Sequence, residues 1–294
     1  MKTFYKVLAI SILATILFII GSAILPFSDS FKEGSQNTNS TDIIFLLLVN
    51  IWFTLTVLYI GKSANRSKKR LITSLIFVYF TIYCFMTQIE TIFFGNAFET
   101  LSKNDGWVIM IANIIPLIVI IPLTLKIAKG NYPISNPPIN IKISTIFLRV
   151  GFLSVVYSVI YFLFGYFIAW QFTDLRVFYT GTTEKQSFIQ KMIENFQYSN
   201  IVPFQLLRGL LFSLFILPIV FIFKNNSKQL LVSLVLVYLS TSIVLIIPNF
   251  LFPDPVRWAH FIEMMTSMSL FAMITWLIWR KKSAPKNMNN ELIP

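Results

Sequence analysis

The chain has 294 residues, of which 56% are hydrophobic and only 12% charged, with a formal net charge of +12, one cysteine and one histidine. Soluble domains carry about a quarter charged residues, so a soluble globular fold is excluded. The lone Cys84 excludes an intramolecular disulfide, and with a single histidine it cannot complete the usual Cys/His set of a structural zinc site; its expected place is the apolar core.

Eight segments reach the ~20 residues that cross ~30 Å of hydrocarbon: residues 7–25, 43–60, 71–94, 107–127, 145–172, 202–223, 230–252 and 256–279. In lipid each backbone amide must be satisfied within its own segment, which predicts helices. The apolar runs are unbroken, whereas barrel strands would alternate. The expected class is therefore an all-α integral membrane protein with eight transmembrane helices. Lys2 and Lys6 ahead of an apolar run and Gly21-Ser22-Ala23 imitate a secretory leader. The run is long enough to span a bilayer, so a retained anchor is expected.

Residues 26–42, rich in Ser, Asn and acid, have little to bury and read as a mobile loop. Between segments two and three lies the basic run Lys62, Arg66, Lys68, Lys69 and Arg70. Pro116 and Pro122 in segment four should kink it or open its hydrogen-bond ladder. Segment five carries Tyr157, Tyr161, Tyr166 and Trp170, read as an interfacial aromatic belt. The long connection after it holds Phe188, Ile189, Met192, Ile193 and Phe196 on one stripe. This predicts an amphipathic helix near 184–197, started by Thr183 with Gln186 and lying flat on the interface.

The basic residues sort by side. Besides the run at 62–70, Lys2, Lys6, Lys126, Lys129, Lys142, Lys224, Lys228, Arg280, Lys281, Lys282 and Lys286 fall at one face. The other face holds only Lys32, Lys103, Arg176, Lys185 and Lys191. Of the acidic residues, only Glu291 joins the basic side. This positive-inside pattern places both termini in the cytoplasm, N-in and C-in. It also explains the +12 charge, so no nucleic-acid partner is expected.

Two halves echo each other in order. Ser74-Leu75-Ile76-Phe77-Val78-Tyr79-Phe80 matches Ser233-Leu234-Val235-Leu236-Val237-Tyr238-Leu239, and Phe45 and Phe53 meet Phe204 and Phe212 at the same offset. Phe4-Tyr5-Lys6-Val7 with Ser11 echoes Phe147-Leu148-Arg149-Val150 with Ser154, and Trp107 can be set against Trp258. The expectation is a parallel 4+4 internal repeat. It comprises a first four-helix unit (1–128), a cytoplasmic linker with Pro133, Pro137 and Pro138 (129–143), a second unit (144–282) and a cytoplasmic tail (283–294). Arg149 aligns with Lys6 and reads as a snorkelling anchor.

Polar groups inside such helices are costly unless they pair or function. Gln88 and Glu90 end segment three, Gln205 and Arg208 open segment six, and Arg257, His260 and Glu263 recur every third residue at the start of segment eight. All fall at the extracytoplasmic level. Glu90, Gln205, Arg208, Arg257, His260 and Glu263 are the expected ligand-binding set. The arginines would hold an anion through their planar forks, the glutamates would balance charge or carry a proton, and His260 would couple binding to pH. In the aligned first half Gly106, Ile109 and Ala112 stand opposite Arg257, His260 and Glu263, so only one copy carries the charges.

The expected activity is binding or transport of a small anionic, zwitterionic or lipid-like molecule, with the lipid bilayer as the surrounding partner. Lys/Asn/Ile-rich usage suggests a bacterial cytoplasmic membrane. An intramembrane enzyme acting on a lipid-linked substrate, with Glu263 as general base, and an accessory subunit are the alternatives. No catalytic residue, metal or cofactor is assigned: there is no P-loop, GxSxG or HExxH. Ser267 lies ~10 Å of rise from His260 along the same helix. No motif ties the chain to a named family.

Overall fold

A computed structural model describes residues 2–280 except 37, 38, 40, 99, 103, 131 and 133–140. Lys103, Pro133, Pro137, Pro138, Lys281, Lys282, Lys286, Glu291 and the tail expected at 283–294 lie outside the described residues. Among those described there is no strand. Eight helices are long and apolar enough to cross a membrane: Lys2–Ile24, Asp42–Ser63, Lys68–Phe93, Asp105–Ala128, Ile143–Gln171, Ile201–Ile222, Ser227–Ile246 and Asp254–Trp279. They are the first to eighth spans below, and together they make the architecture of a multi-pass membrane protein.

The first span packs on the second and fourth, the second on the fourth, and the third on the fourth. In the second half the fifth packs on the sixth and eighth, and the seventh on the eighth. The halves meet where the second span lies on the seventh, the sixth on the third, and the third on the seventh. One core runs through both, with Phe53, Tyr79, Phe212, Tyr238 and Phe271 buried in it. Cys84 is buried there as a small apolar side chain.

Local chemistry explains where the spans depart from plain helices. The seventh ends at Ile246 rather than at 252, because Ile247 is extended (φ −74°, ψ 117°) ahead of Pro248, and a residue before proline is pushed out of the helical region. The Asn249 side chain then accepts from the Leu251 and Phe252 amides, both at 3.1 Å, and forms the turn. In the third span Tyr79–Phe85 is a π-helical stretch. Such wide turns re-aim the helix beyond them, here Met86–Phe93 with Gln88 and Glu90. The fourth span runs as one helix through Pro116 and Pro122.

The connections hold more order than expected. Residues 26–42 contain a helix, Asp29–Ser35, capped by Ser28. Phe27 is buried and stacks on Phe31 at 4.3 Å, and Phe31 meets Phe250 edge-on at 4.9 Å. Asp105 at the head of the fourth span accepts from Ser28 N (2.9 Å), Ser28 Oγ (2.6 Å) and Ser102 N (2.8 Å), which pins the connection down. In the long connection Thr173–Thr180 forms a helix that periodicity did not indicate. Arg176 holds it in place by donating to the Trp170, Gln171 and Thr183 carbonyls and to Thr173 Oγ1. The amphipathic helix is Phe188–Tyr198, and its capping box is Ser187 with Gln190 rather than Thr183 with Gln186. Ile189, Ile193 and Phe196 are exposed along it. Arg149 sits 4.9 Å over the Trp279 ring, near a helix end as expected of an anchor.

Candidate functional site

Where the short helices Asp29–Ser35, Thr173–Thr180 and Phe188–Tyr198 gather, the bundle contains a cavity of about 1160 Å³. Its walls are largely aromatic and aliphatic, with Phe18, Phe94, Phe98, Phe162, Phe250 and Phe252 among them. Arg208, Tyr157 and Ser267, all buried, line it together with Glu90 and Glu263, while Lys32, Lys191 and Glu194 line it as well.

Arg208 is 2% exposed, and both of its terminal nitrogens are engaged. Nη1 donates to Glu90 Oε1 at 2.6 Å and Nη2 donates to Glu90 Oε2 at 2.5 Å, a bidentate pair joining the sixth span to the third. Nη1 also donates to Gln205 Oε1 at 3.0 Å, one turn away on its own helix. The guanidinium lies 5.8 Å from the Tyr157 ring and 5.7 Å from that of Phe212. Removing one partner of a buried pair costs about 3–5 kcal/mol, because a charge is left unpaired. A ligand anion would have to displace Glu90 to reach Arg208.

Arg257 stands elsewhere, and it does not line the cavity. It donates to Asp254 Oδ1 at 2.7 Å and to the Leu245 and Ile246 carbonyls at 2.8 and 3.1 Å. It thereby caps the end of the seventh span and ties it to the start of the eighth, where a cation at a helix C-terminus is favoured. The expected triple is split for a geometric reason. Successive steps of three residues drift by about 60° each, so Arg257 and Glu263 end up about 120° apart. Gln205 is also away from the lining, buried behind Arg208. Glu90, Arg208, His260 and Glu263 line the cavity.

His260 Nε2 lies 3.0 Å from the Tyr179 hydroxyl. Burial, with the charge of Glu90 nearby, pushes the Tyr179 phenol well above its ordinary value, so it keeps a proton to share with the ring. The histidine is thus tied to the Thr173–Thr180 helix that roofs this part of the cavity, and not to a serine nucleophile. Glu263 is 8% exposed and belongs to no ion pair among the described residues. Ser267, one turn on, lines the cavity beside it and donates to the Met264 carbonyl at 3.4 Å.

Sequence reasoning missed Tyr179 and assigned Tyr157, Tyr161 and Tyr166 to a membrane-interface belt. All four line the cavity, and Tyr157 is buried. One signal was available: Tyr157 and Tyr161 share the helix face of Ser154 and Ser158, a polar stripe that a lipid-facing belt does not need. Lys191 lies 4.7 Å from the Trp170 ring and pairs with Glu194 at 3.0 Å; all three residues line the cavity.

Comparison of the chain with protein-family models, with curated proteins and with solved structures finds no match in any of the three.

Proposed function

We propose that this chain is a bacterial cytoplasmic-membrane protein, with both termini inside, that binds or transports a lipid-like amphiphile through the cavity facing the extracytoplasmic side. The observation that carries this reading is the cavity itself: about 1160 Å³, with largely aromatic and aliphatic walls and the Arg208–Glu90 pair and Glu263 at its buried end. Pockets for drug-sized ligands run to about 1,000 Å³, so this one is large enough for an acyl chain and its head. Native mass spectrometry of the purified protein is expected to show a retained adduct of lipid-like mass. Gly165 supplies the control, because it lines the cavity and a Cβ built there meets nothing within 4 Å. Gly165→Trp should therefore fill the space and strip the adduct while leaving the fold intact. An unliganded wild-type protein, or an adduct untouched by Gly165→Trp, refutes the reading.

The orientation rests on the side-by-side count of lysines and arginines. A reporter inserted at Ser187 is expected outside the cytoplasm; a cytoplasmic signal overturns the topology and the depth assigned to the cavity.

We also infer that the two halves are a parallel 4+4 repeat, and the support is paired chemistry at aligned positions. Phe53 meets Tyr79 edge-on at 5.4 Å, and their aligned counterparts Phe212 and Tyr238 do so at 6.0 Å. Ser11 Oγ reaches the Asn50 carbonyl on the second span at 3.4 Å, and Ser154 Oγ reaches the sixth span at the Leu206 carbonyl (2.6 Å), one turn before Gly209, the residue aligned with Asn50. Thr54 and Ser213, also aligned, both bond back to the carbonyl four residues earlier. The contact of the second span with the seventh is matched by that of the sixth with the third. The halves differ where the second span packs closely on the fourth while the sixth has no comparable packing on the eighth. Arg208 and Glu263 line the cavity from those two spans.

A further inference from the structure

We propose that the head of the bound amphiphile carries a positive charge, an alkylammonium or quaternary ammonium group, held by Glu263 at the buried end of the cavity; this rests on the amphiphile reading above. The first argument is charge count. At that end the ionisable side chains lining the cavity are Arg208, Glu90 and Glu263. Arg208 and Glu90 neutralise each other through two hydrogen bonds. Glu263 remains, with no basic side chain within 4 Å among the described residues. It is nine-tenths buried and still reaches the cavity. A buried carboxyl of this kind holds a proton until a partner of opposite sign arrives, and a bound cation supplies that partner.

The second argument is that the buried end offers an anion nothing equivalent, since the lysines that line the cavity, Lys32 and Lys191, pair with Asp29 and Glu194. The terminal nitrogens of Arg208 are occupied, and its Nε and Gln205 Nε2, although unpartnered, are shut off from the cavity surface. Arg257 is spent on Asp254 and two carbonyls outside the lining. The third is the surrounding surface. Tyr157 and Tyr161 line the same end, and aromatic faces attract cations, quaternary ammonium in particular. A carboxylate backed by aromatic rings suits a greasy cation that sheds its water easily. The aromatic walls beyond would take its chain.

The test compares three probes that share a chain of ~12 carbons, short enough for a drug-sized pocket: dodecyltrimethylammonium, dodecyl phosphate and dodecyl maltoside. Binding to the full-length protein is measured by titration in nanodiscs free of choline lipids. Dodecyltrimethylammonium is expected to bind about tenfold tighter than either of the others, a difference of about 1.4 kcal/mol. Glu263→Gln should abolish that preference, bringing dodecyltrimethylammonium to within about threefold of dodecyl maltoside. Equal affinity for all three heads, or tighter phosphate binding, overturns the cationic head yet leaves the amphiphile reading standing. Failure of every probe overturns both. Because head preference is read on the wild type first, a misfolded Glu263→Gln protein does not shelter the proposal.

Discussion

Glu90→Gln is expected to destabilise the protein by about 3 kcal/mol, at the lower end of the range for breaking a buried ion pair. Arg208 keeps its charge at 2% exposure, while glutamine offers one acceptor oxygen where the carboxylate offered two. The loss falls at the lower end because the Glu90 side chain is 26% exposed toward the cavity, so water entering there can partly replace it. The double variant Glu90→Gln/Arg208→Met removes the stranded charge and should recover most of the loss. Thermal unfolding followed by circular dichroism in detergent gives both values, and the cycle separates the pair from its parts. A useful contrast is Lys32–Asp29, whose side chains are 57% and 95% exposed. Breaking that pair should change stability by well under about 1 kcal/mol. If Glu90→Gln behaves like it, the Glu90–Arg208 pair does not join the third and sixth spans energetically.

The membrane-crossing scaffold was legible from residues alone, because a continuous apolar run has one structural solution in lipid. All eight spans agree with the apolar segments, within a few residues at most ends. Errors gathered where water and protein meet. The helix Thr173–Thr180 was invisible because it is set by Arg176 reaching carbonyls up to seven residues away, and no periodicity records that. Asp29–Ser35 was hidden in a polar composition, although Phe27 and Phe31 were the side chains that would bury it.

The order of the helices grouped Glu90, Arg208, His260 and Glu263 at one level of the bundle, and all four line the cavity. Rotation about each helix could not be read that way. Arg257 shares a level with Glu263 but faces the end of the seventh span. Three-residue spacing looks like one face over a single step and loses it over two. Pair identity was equally out of reach: two arginines and three carboxylates can be matched in several ways. Only the packing of the third span on the sixth makes Glu90 the partner of Arg208. The same ambiguity separates the anionic ligand expected from sequence from the cationic head proposed above. Two free arginines suggest an anion, whereas two committed arginines leave Glu263 in charge of the cavity.

Gly209→Ala should be destabilising although alanine is the better helix former. A Cβ at position 209 would lie 2.6 Å from the Ser154 carbonyl oxygen and 2.9 Å from Ser154 Cα. Both are backbone atoms of the fifth span, so no side chain can swing aside, and the two helices must separate. Intrinsic propensity favours alanine by up to about 1 kcal/mol, while overpacking of this kind costs about 1–3 kcal/mol. Separation also stretches the Ser154 Oγ bond to the Leu206 carbonyl, now 2.6 Å, an interaction of about 0.6 kcal/mol in membranes. The net expectation is a loss of about 1–2 kcal/mol. Gly151 sits in the same fifth span with nothing within 4 Å of its built Cβ. There only propensity acts, so Gly151→Ala should raise stability by up to about 1 kcal/mol. Opposite signs from the same substitution are the measurable signature, and stabilisation in both variants would remove the close approach from the account. Arg208 precedes Gly209 in the chain, so shifting the sixth span also displaces the guanidinium from Glu90. The losses from Gly209→Ala and Glu90→Gln should therefore fall short of their sum when combined, as expected for sites that share one contact.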